Sequence, residues 1–134
     1  MNIEELKKRA AAGDAEAQYK LGECYYNGDD IKQDDEAAVL WFKESAGQGY
    51  IPAYRILGGC YNFGYGVEQD YEEAVKWFTL AADEGYPDSE YYLGVCYNNG
   101  QGVEKSRSTA VKLLRRAKKG GNEEASEALK ILSE

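Results

Sequence analysis

The stretch Ala53–Gly85, AYRILGGCYNFGYGVEQDYEEAVKWFTLAADEG, decides the fold. Its first half places Ala53, Leu57, Cys60 and Tyr61 at the i, i+4, i+7, i+8 spacing of one helix face. Gly64 follows, a residue suited to the left-handed C-terminal turn that stops a helix. The loop Gly64–Gln69 holds two glycines that permit positive φ, and Val67, expected to plug the core. A second helix, helix B of the unit where the first is helix A, is predicted from Asp70, an N-cap residue that has capping-box spacing to Glu73. Ala74, Trp77, Phe78 and Ala81 form its expected buried stripe, and Gly85 closes it.

The same unit recurs at a constant offset of 36 residues on both sides, without insertion or deletion. Leu57-Gly58 has counterparts in Leu21-Gly22 and Leu93-Gly94, and Cys60-Tyr61 in Cys24-Tyr25 and Cys96-Tyr97. Trp77-Phe78 matches Trp41-Phe42 and drifts to Leu113-Leu114, while Asp70 matches Asp34 and Ser106. Pro52 and Pro87 stand near helix starts, where a missing N–H costs nothing. Ile3–Ala12 aligns with the second half of a B helix, with Leu6 at the Phe42 position and Ala10 at the Ala46 position. Glu123–Leu132 aligns with an A helix, with Ala125, Leu129 and Leu132 at the Ala17, Leu21 and Cys24 positions. Lys130 replaces the repeat glycine there. The predicted fold is all-α, a solenoid of helix–turn–helix repeats forming one domain over residues 1–134. Residues 1–13 form an N-terminal half-repeat, 14–49, 50–85 and 86–121 three full repeats, and 122–134 a C-terminal capping helix. Glycine inside a helix costs about 1 kcal/mol against alanine. Its recurrence at 22, 58 and 94 implies close approach of the following B helix, at Ala38, Ala74 and Ala110.

With 24 acidic and 16 basic residues the net charge is −8, the wrong sign for general phosphate neutralisation, so no nucleic-acid partner is expected. No run reaches the roughly 20 apolar residues of a membrane span, and no signal-peptide core follows Met1, so a cytoplasmic chain is expected. Three cysteines spaced 36 apart are not a disulfide framework, and without histidine or a CxxC pair no metal site is expected. Stacked equivalents should lie on the order of 10 Å apart, beyond disulfide reach. Cys24, Cys60 and Cys96 therefore read as small buried apolar residues. No catalytic residue and no cofactor site is assigned.

The pattern Ala-x-x-x-Leu-Gly-x-x-Tyr-x-x-Gly-x-Gly-Val-x-x-Asp-x-x-x-Ala-x-x-Trp-Phe-x-x-Ala-Ala-x-x-Gly resembles the Sel-one-like repeat (SLR), a branch of the tetratricopeptide superfamily. Residues 53–85 match it throughout. The first unit departs at Asp30, Ile31 and Ser45, and the third at Ser89, Ser106, Leu113, Leu114 and Lys118. The resemblance implies a right-handed superhelix whose A helices line a concave surface, and adaptor or scaffold roles. Some relatives carry paired cysteines in each repeat and are linked to β-lactam binding. This chain has one cysteine per repeat, no Ser-x-x-Lys motif and no histidine, so it lacks a visible nucleophile–base pair.

By analogy with tetratricopeptide grooves, the partner-binding positions are Tyr19, Glu23, Tyr26 and Asn27 in the first repeat. Arg55, Gly59, Asn62 and Phe63 are their counterparts in the second, and Tyr91, Val95, Asn98 and Asn99 in the third. Amides can pair with a peptide backbone, aromatic rings supply contact area, and Arg55 can take a carboxylate. A second candidate surface is basic: Lys105, Arg107, Lys112, Arg115, Arg116, Lys118 and Lys119, suited to an acidic partner or to a second copy. The leading reading is a protein–protein interaction module, monomeric or weakly self-associating. A structural or engineered scaffold without a specific ligand is the alternative, and a β-lactam-processing enzyme the third.

Overall fold

A computed structural model describes residues 1–133, and the described secondary structure is helical throughout. The helices are α1 (Ile3–Ala11), α2 (Ala15–Asn27), α3 (Asp35–Gly47) and α4 (Ile51–Phe63), then α5 (Tyr71–Asp83), α6 (Pro87–Asn99), α7 (Arg107–Lys119) and α8 (Glu123–Ser133). The fold class is the expected one, all-α helix–turn–helix repeats in succession. Two compact units emerge, Met1–Gln69 holding α1 to α4 and Asp70–Glu134 holding α5 to α8. In the first, α2 packs on α1 and α3, and α3 on α4. In the second, α6 packs on α5 and α7, and α7 on α8.

Local chemistry sets the helix ends. Asp14, Asp34, Asp70 and Ser106 each accept a hydrogen bond from the backbone N–H three residues on, at 3.1 to 3.3 Å. Asn2 and Asn122 cap α1 and α8 in the same manner, at 2.9 and 2.8 Å. The Glu73 carboxylate, expected to complete a capping box, lies 3.6 Å from Lys76. The A helices end in left-handed glycines, and the cysteine carbonyl one turn back accepts the cap N–H. Two glutamines add a cap unforeseen in the sequence: Gln33 Nε2 donates to the Tyr26 carbonyl at 2.9 Å, and Gln69 Nε2 to that of Asn62 at 2.7 Å.

The core follows the repeat frame. In the first unit Leu6, Ala10, Ala17 and Leu21 cluster, with Ile3, Cys24, Tyr25 and Trp41 packed around them. In the second, Leu114, Ala117 and Ala125 cluster with Tyr91, Ala128, Leu129 and Leu132. Phe42 and Phe78 are fully buried, but Trp41 and Trp77 are only half-buried. Val67 is half-buried too, so it is not the buried core plug expected. Cys60 and Cys96 are buried free thiols whose burial pushes their pKa up to about 11, as suits packing residues; Cys24 is half-buried.

Two close approaches refine the reading of the glycines. A Cβ on Gly22 would stand 2.6 Å from the Phe42 ring and 3.2 Å from the Ala38 carbonyl oxygen. The partner in contact is therefore the large aromatic ring as well as the small residue expected. At Gly94 the corresponding neighbours are Leu114 Cγ at 3.0 Å and the Ala110 oxygen at 3.4 Å, a looser fit. The loop glycines Gly66 and Gly102, at φ +73° and +75°, press on the first turn of the preceding B helix, at Asp35 and Tyr71.

Candidate binding surface

On the A helices of the first unit, the repeat-breaking residues meet. The half-buried Tyr19 ring packs between Phe42 and Tyr50, with centroids 5.6 and 5.4 Å away. Its hydroxyl donates to the Glu23 carboxylate and lies within range of the Arg55 charge. Burial first, and then the Glu23 charge, push the Tyr19 pKa up to about 12, while Arg55 pulls it down. The phenol thus stays a hydrogen-bond donor throughout the neutral range. Carboxylate, phenol and guanidinium together form a polar cluster shared between α2 and α4.

Two turns on from Tyr19 toward the loops, half-buried Tyr26 lies within electrostatic range of Cys60, Tyr65 and Asp35. Phe63 and Tyr65 stack with centroids 5.7 Å apart and remain 47% and 46% exposed. A stacked aromatic pair of that exposure presents contact area to solvent. Asn27 is exposed and Asn62 half-buried beside it in sequence register. Tyr65, absent from the sequence-derived set, belongs to this surface; its place in a loop hid it.

In the second unit the matching positions on α6 are used differently. Tyr91 packs on the Leu114–Ala117–Ala125 cluster and meets Tyr92 edge-on at 5.2 Å. Part of this candidate ligand-binding ring is therefore core packing against α8. Val95 and Asn98 are half-buried and Asn99 exposed, with Asn98 Nδ2 3.5 Å from Asn99 Oδ1.

Polar residues are buried away from this face too: Ser45 in the stripe expected of a B helix, and Gln18 and Glu90 without a signal in the sequence. Gln18 donates to the Ala10 carbonyl at 3.1 Å and accepts from Gln48 Nε2 at 2.8 Å, and Ser45 Oγ donates to the Ala15 carbonyl at 2.7 Å. Glu90, 5% exposed, pairs with Arg116 Nε at 3.2 Å. Burial raises the Glu90 pKa, and Arg116 opposes the rise. A carboxyl whose folded pKa is raised stabilises the fold when protonated, and that contribution is lost as pH rises through its folded value. Glu90→Gln should therefore melt progressively higher relative to the parent as pH climbs from the acid side of that titration to neutrality. Parallel melting curves across that range would show that the ion pair outweighs burial.

Two concavities lie elsewhere. One of about 690 Å³ runs between α1 and α3, walled by Ala10, Ala11, Ala37, Leu40 and Trp41. The other, about 430 Å³, lies between α7 and α8. Among the described residues no group of three or more histidine, cysteine, aspartate or glutamate side chains could hold a metal ion, and no helix is long and apolar enough to cross a membrane.

Comparison with known proteins places this architecture. A family model described as Sel1 repeat matches residues 15–50, 51–86 and 87–122. The crystal structure of a Sel1 repeat protein from Oxalobacter formigenes is 37% identical, with a TM-score of 0.83 over 96% of each chain. A protective antigen present in uropathogenic Escherichia coli strains, described as displaying an SLR fold, is 40% identical with a TM-score of 0.88, over 96% of this chain and 27% of that one. The secretory immunoglobulin A-binding protein EsiB of Escherichia coli is 40% identical over 45 residues, 34% of this chain and 9% of that protein. The chain thus spans less than a tenth of that curated relative's length. Three consecutive matches covering most of the chain, on helices capped and packed as the repeat requires, establish that this protein belongs to the Sel1 repeat family.

Proposed function

We propose that the protein is an interaction module that holds a peptide or partner-protein segment on the A-helix face, centred in the first unit on Tyr19, Glu23, Tyr26, Arg55 and Phe63. The carrying observation is the exposed Phe63–Tyr65 stack together with the Tyr19–Glu23–Arg55 cluster, all at positions outside the shared repeat pattern. Aromatic rings supply rigid contact area at low entropic cost, and the guanidinium offers bidentate pairing to a carboxylate. Asn27 and Asn62 add amides able to pair with an extended backbone. In the second unit, taken by itself, α6 presents the half-buried Val95 and Asn98 and the exposed Asn99 at the matching positions, with Tyr91 half-buried among them. EsiB, similar over 45 residues, is named for binding an immunoglobulin, which supports a protein ligand.

The test uses the double variant Tyr26→Ala with Phe63→Ala. Partners captured by the parent protein and identified by mass spectrometry should bind it at least about tenfold more weakly, a loss of roughly 1.4 kcal/mol. Its melting temperature should stay within a few degrees of the parent. A matching collapse of melting temperature would make these residues core, and undiminished capture would move the site elsewhere.

A further inference from the structure

The aromatic end of the first unit's surface carries a charge without a counter-ion. Tyr26 stands in the last turn of α2, Asp35 opens α3, Phe63 closes α4, and Tyr65 follows in the loop. Gly66 closes over the Asp35 carbonyl, so its neighbour Tyr65 stands at the start of α3. Tyr26 lies within electrostatic range of both Tyr65 and Asp35. Three rings and one carboxylate are thus drawn together from three helix ends, all inside one compact unit.

One oxygen of the Asp35 carboxylate, Oδ1, is buried and accepts no hydrogen bond among the described residues. Among them no basic side chain pairs with this carboxylate either. The residue as a whole is half-buried, so its charge is partly stripped of water while its second oxygen stays within reach of a ligand. A buried acceptor without a donor is an exception in folded proteins, and a desolvated charge attracts an opposite one more strongly. The surroundings have the same sign: residues 29–36 hold five acidic side chains and one basic. Nearby, α3 and α4 already pair a cation with a ring, since Lys43 Nζ lies 5.5 Å from the Tyr61 centroid. The combination is particular to this place. One repeat on, the same registers hold Asn62, Tyr71, Asn99 and Gln101, with one ring and no acid.

We propose that Tyr26, Phe63, Tyr65 and Asp35 form a seat for an arginine side chain of a partner protein's peptide segment. The guanidinium lies flat on the outer face of the Phe63–Tyr65 stack and pairs with the Asp35 carboxylate, while the Tyr26 ring flanks its stem. Arginine suits the seat better than lysine, because its plane stacks on a ring while its fork pairs with a carboxylate. The assignment rests on the reading of the A-helix face as the binding surface, and names what that face takes at its loop end.

The probe is a fluorescein-labelled peptide of glycine and serine with leucine–arginine–leucine at its centre, followed by anisotropy. The parent protein should bind it, more weakly as salt rises. Replacing the arginine by citrulline, its neutral isostere, should weaken binding by at least about tenfold, and replacing it by lysine by less. Asp35→Asn should weaken the arginine peptide by at least about tenfold and leave the citrulline peptide within about twofold. Glu36→Gln, at an exposed neighbour on α3 outside the seat, should change arginine-peptide binding by no more than about twofold. Far-ultraviolet dichroism checks that each variant is folded, and the citrulline comparison needs no variant. Any one of four results overturns the proposal: no binding by the parent, equal affinity for the arginine and citrulline peptides, an equal loss in Glu36→Gln and Asp35→Asn, or displacement by tetramethylammonium as effective as by unlabelled peptide. The last would make the occupant a small free cation. Partner capture that depends on Tyr26 and Phe63, with any of those four results, removes the arginine seat and keeps the A-helix reading. Capture indifferent to Tyr26 and Phe63, with the expected peptide results, removes that reading and keeps the seat.

Discussion

Gly66→Ala is expected to cost roughly 3 kcal/mol of stability in chemical denaturation, the sum of two separable penalties. At φ +73° a Cβ meets the left-handed strain that glycine escapes, about 1–2 kcal/mol. The same Cβ also meets the Asp35 backbone, which opens the α3 first turn and cannot swing aside as a side chain would. Overpacking of that kind costs about 1–3 kcal/mol. Two comparisons isolate the terms. Gly28 has φ +74° but only the Gln33 Cβ at 3.4 Å, so Gly28→Ala should cost about 1 kcal/mol, the strain alone. Asp30 occupies the Gly66 register in the first repeat, at φ +58°, and is exposed. Asp30→Gly should therefore shift stability by less than about 1 kcal/mol. Equal costs at positions 28 and 66 would show that strain alone, and not the approach to α3, keeps the second loop glycine.

Gly22→Ala and Gly94→Ala should differ in cost although they are the same change at the same register. Alanine gains about 1 kcal/mol of helix propensity in either helix. At position 22 the new Cβ would stand 2.6 and 2.7 Å from two atoms of Phe42, which is 0% exposed and has nowhere to go. The net expectation is a loss of about 2 kcal/mol. At position 94 the contact is Leu114, at 3.0 and 3.1 Å, and a branched aliphatic chain can turn to another rotamer. The two terms then nearly cancel, leaving a change within about 1 kcal/mol of zero. Phe42→Leu, which imports the third repeat's residue, should offset part of the Gly22→Ala loss. A double-mutant cycle with no coupling would show that the ring is not what excludes the methyl group.

These contrasts show why equivalence in register did not disclose equivalence in contact. The offset of 36 made positions 22, 58 and 94 alike, and positions 30, 66 and 102 alike. Whether the atom opposite is a rigid ring, a flexible leucine or a peptide carbonyl depends on the identity of the partner helix, and the repeats drift there. The candidate surface shows the same division. Tyr19, Glu23 and Arg55 were legible as repeat-breaking residues, but their meeting joins α2 to α4 across a whole repeat. Tyr91 was legible in the same way, yet its ring packs on the cluster that α8 shares with α7. Glu90 gave no signal at all, since a lone carboxylate in a helix reads as solvated until Arg116 and burial enclose it.

The sequence by itself determined the helices, their order, their caps and the all-α repeat class. All of these follow from interactions within a few residues: helical periodicity, an Asp or Ser oxygen on the third N–H beyond it, and a glycine free to turn left-handed. Only the tertiary structure decided which variable side chains share a surface, and that the second loop glycine is required by the start of the preceding B helix. Those outcomes depend on packing between segments a repeat or more apart, where the energy of a residue is set by the neighbour it meets.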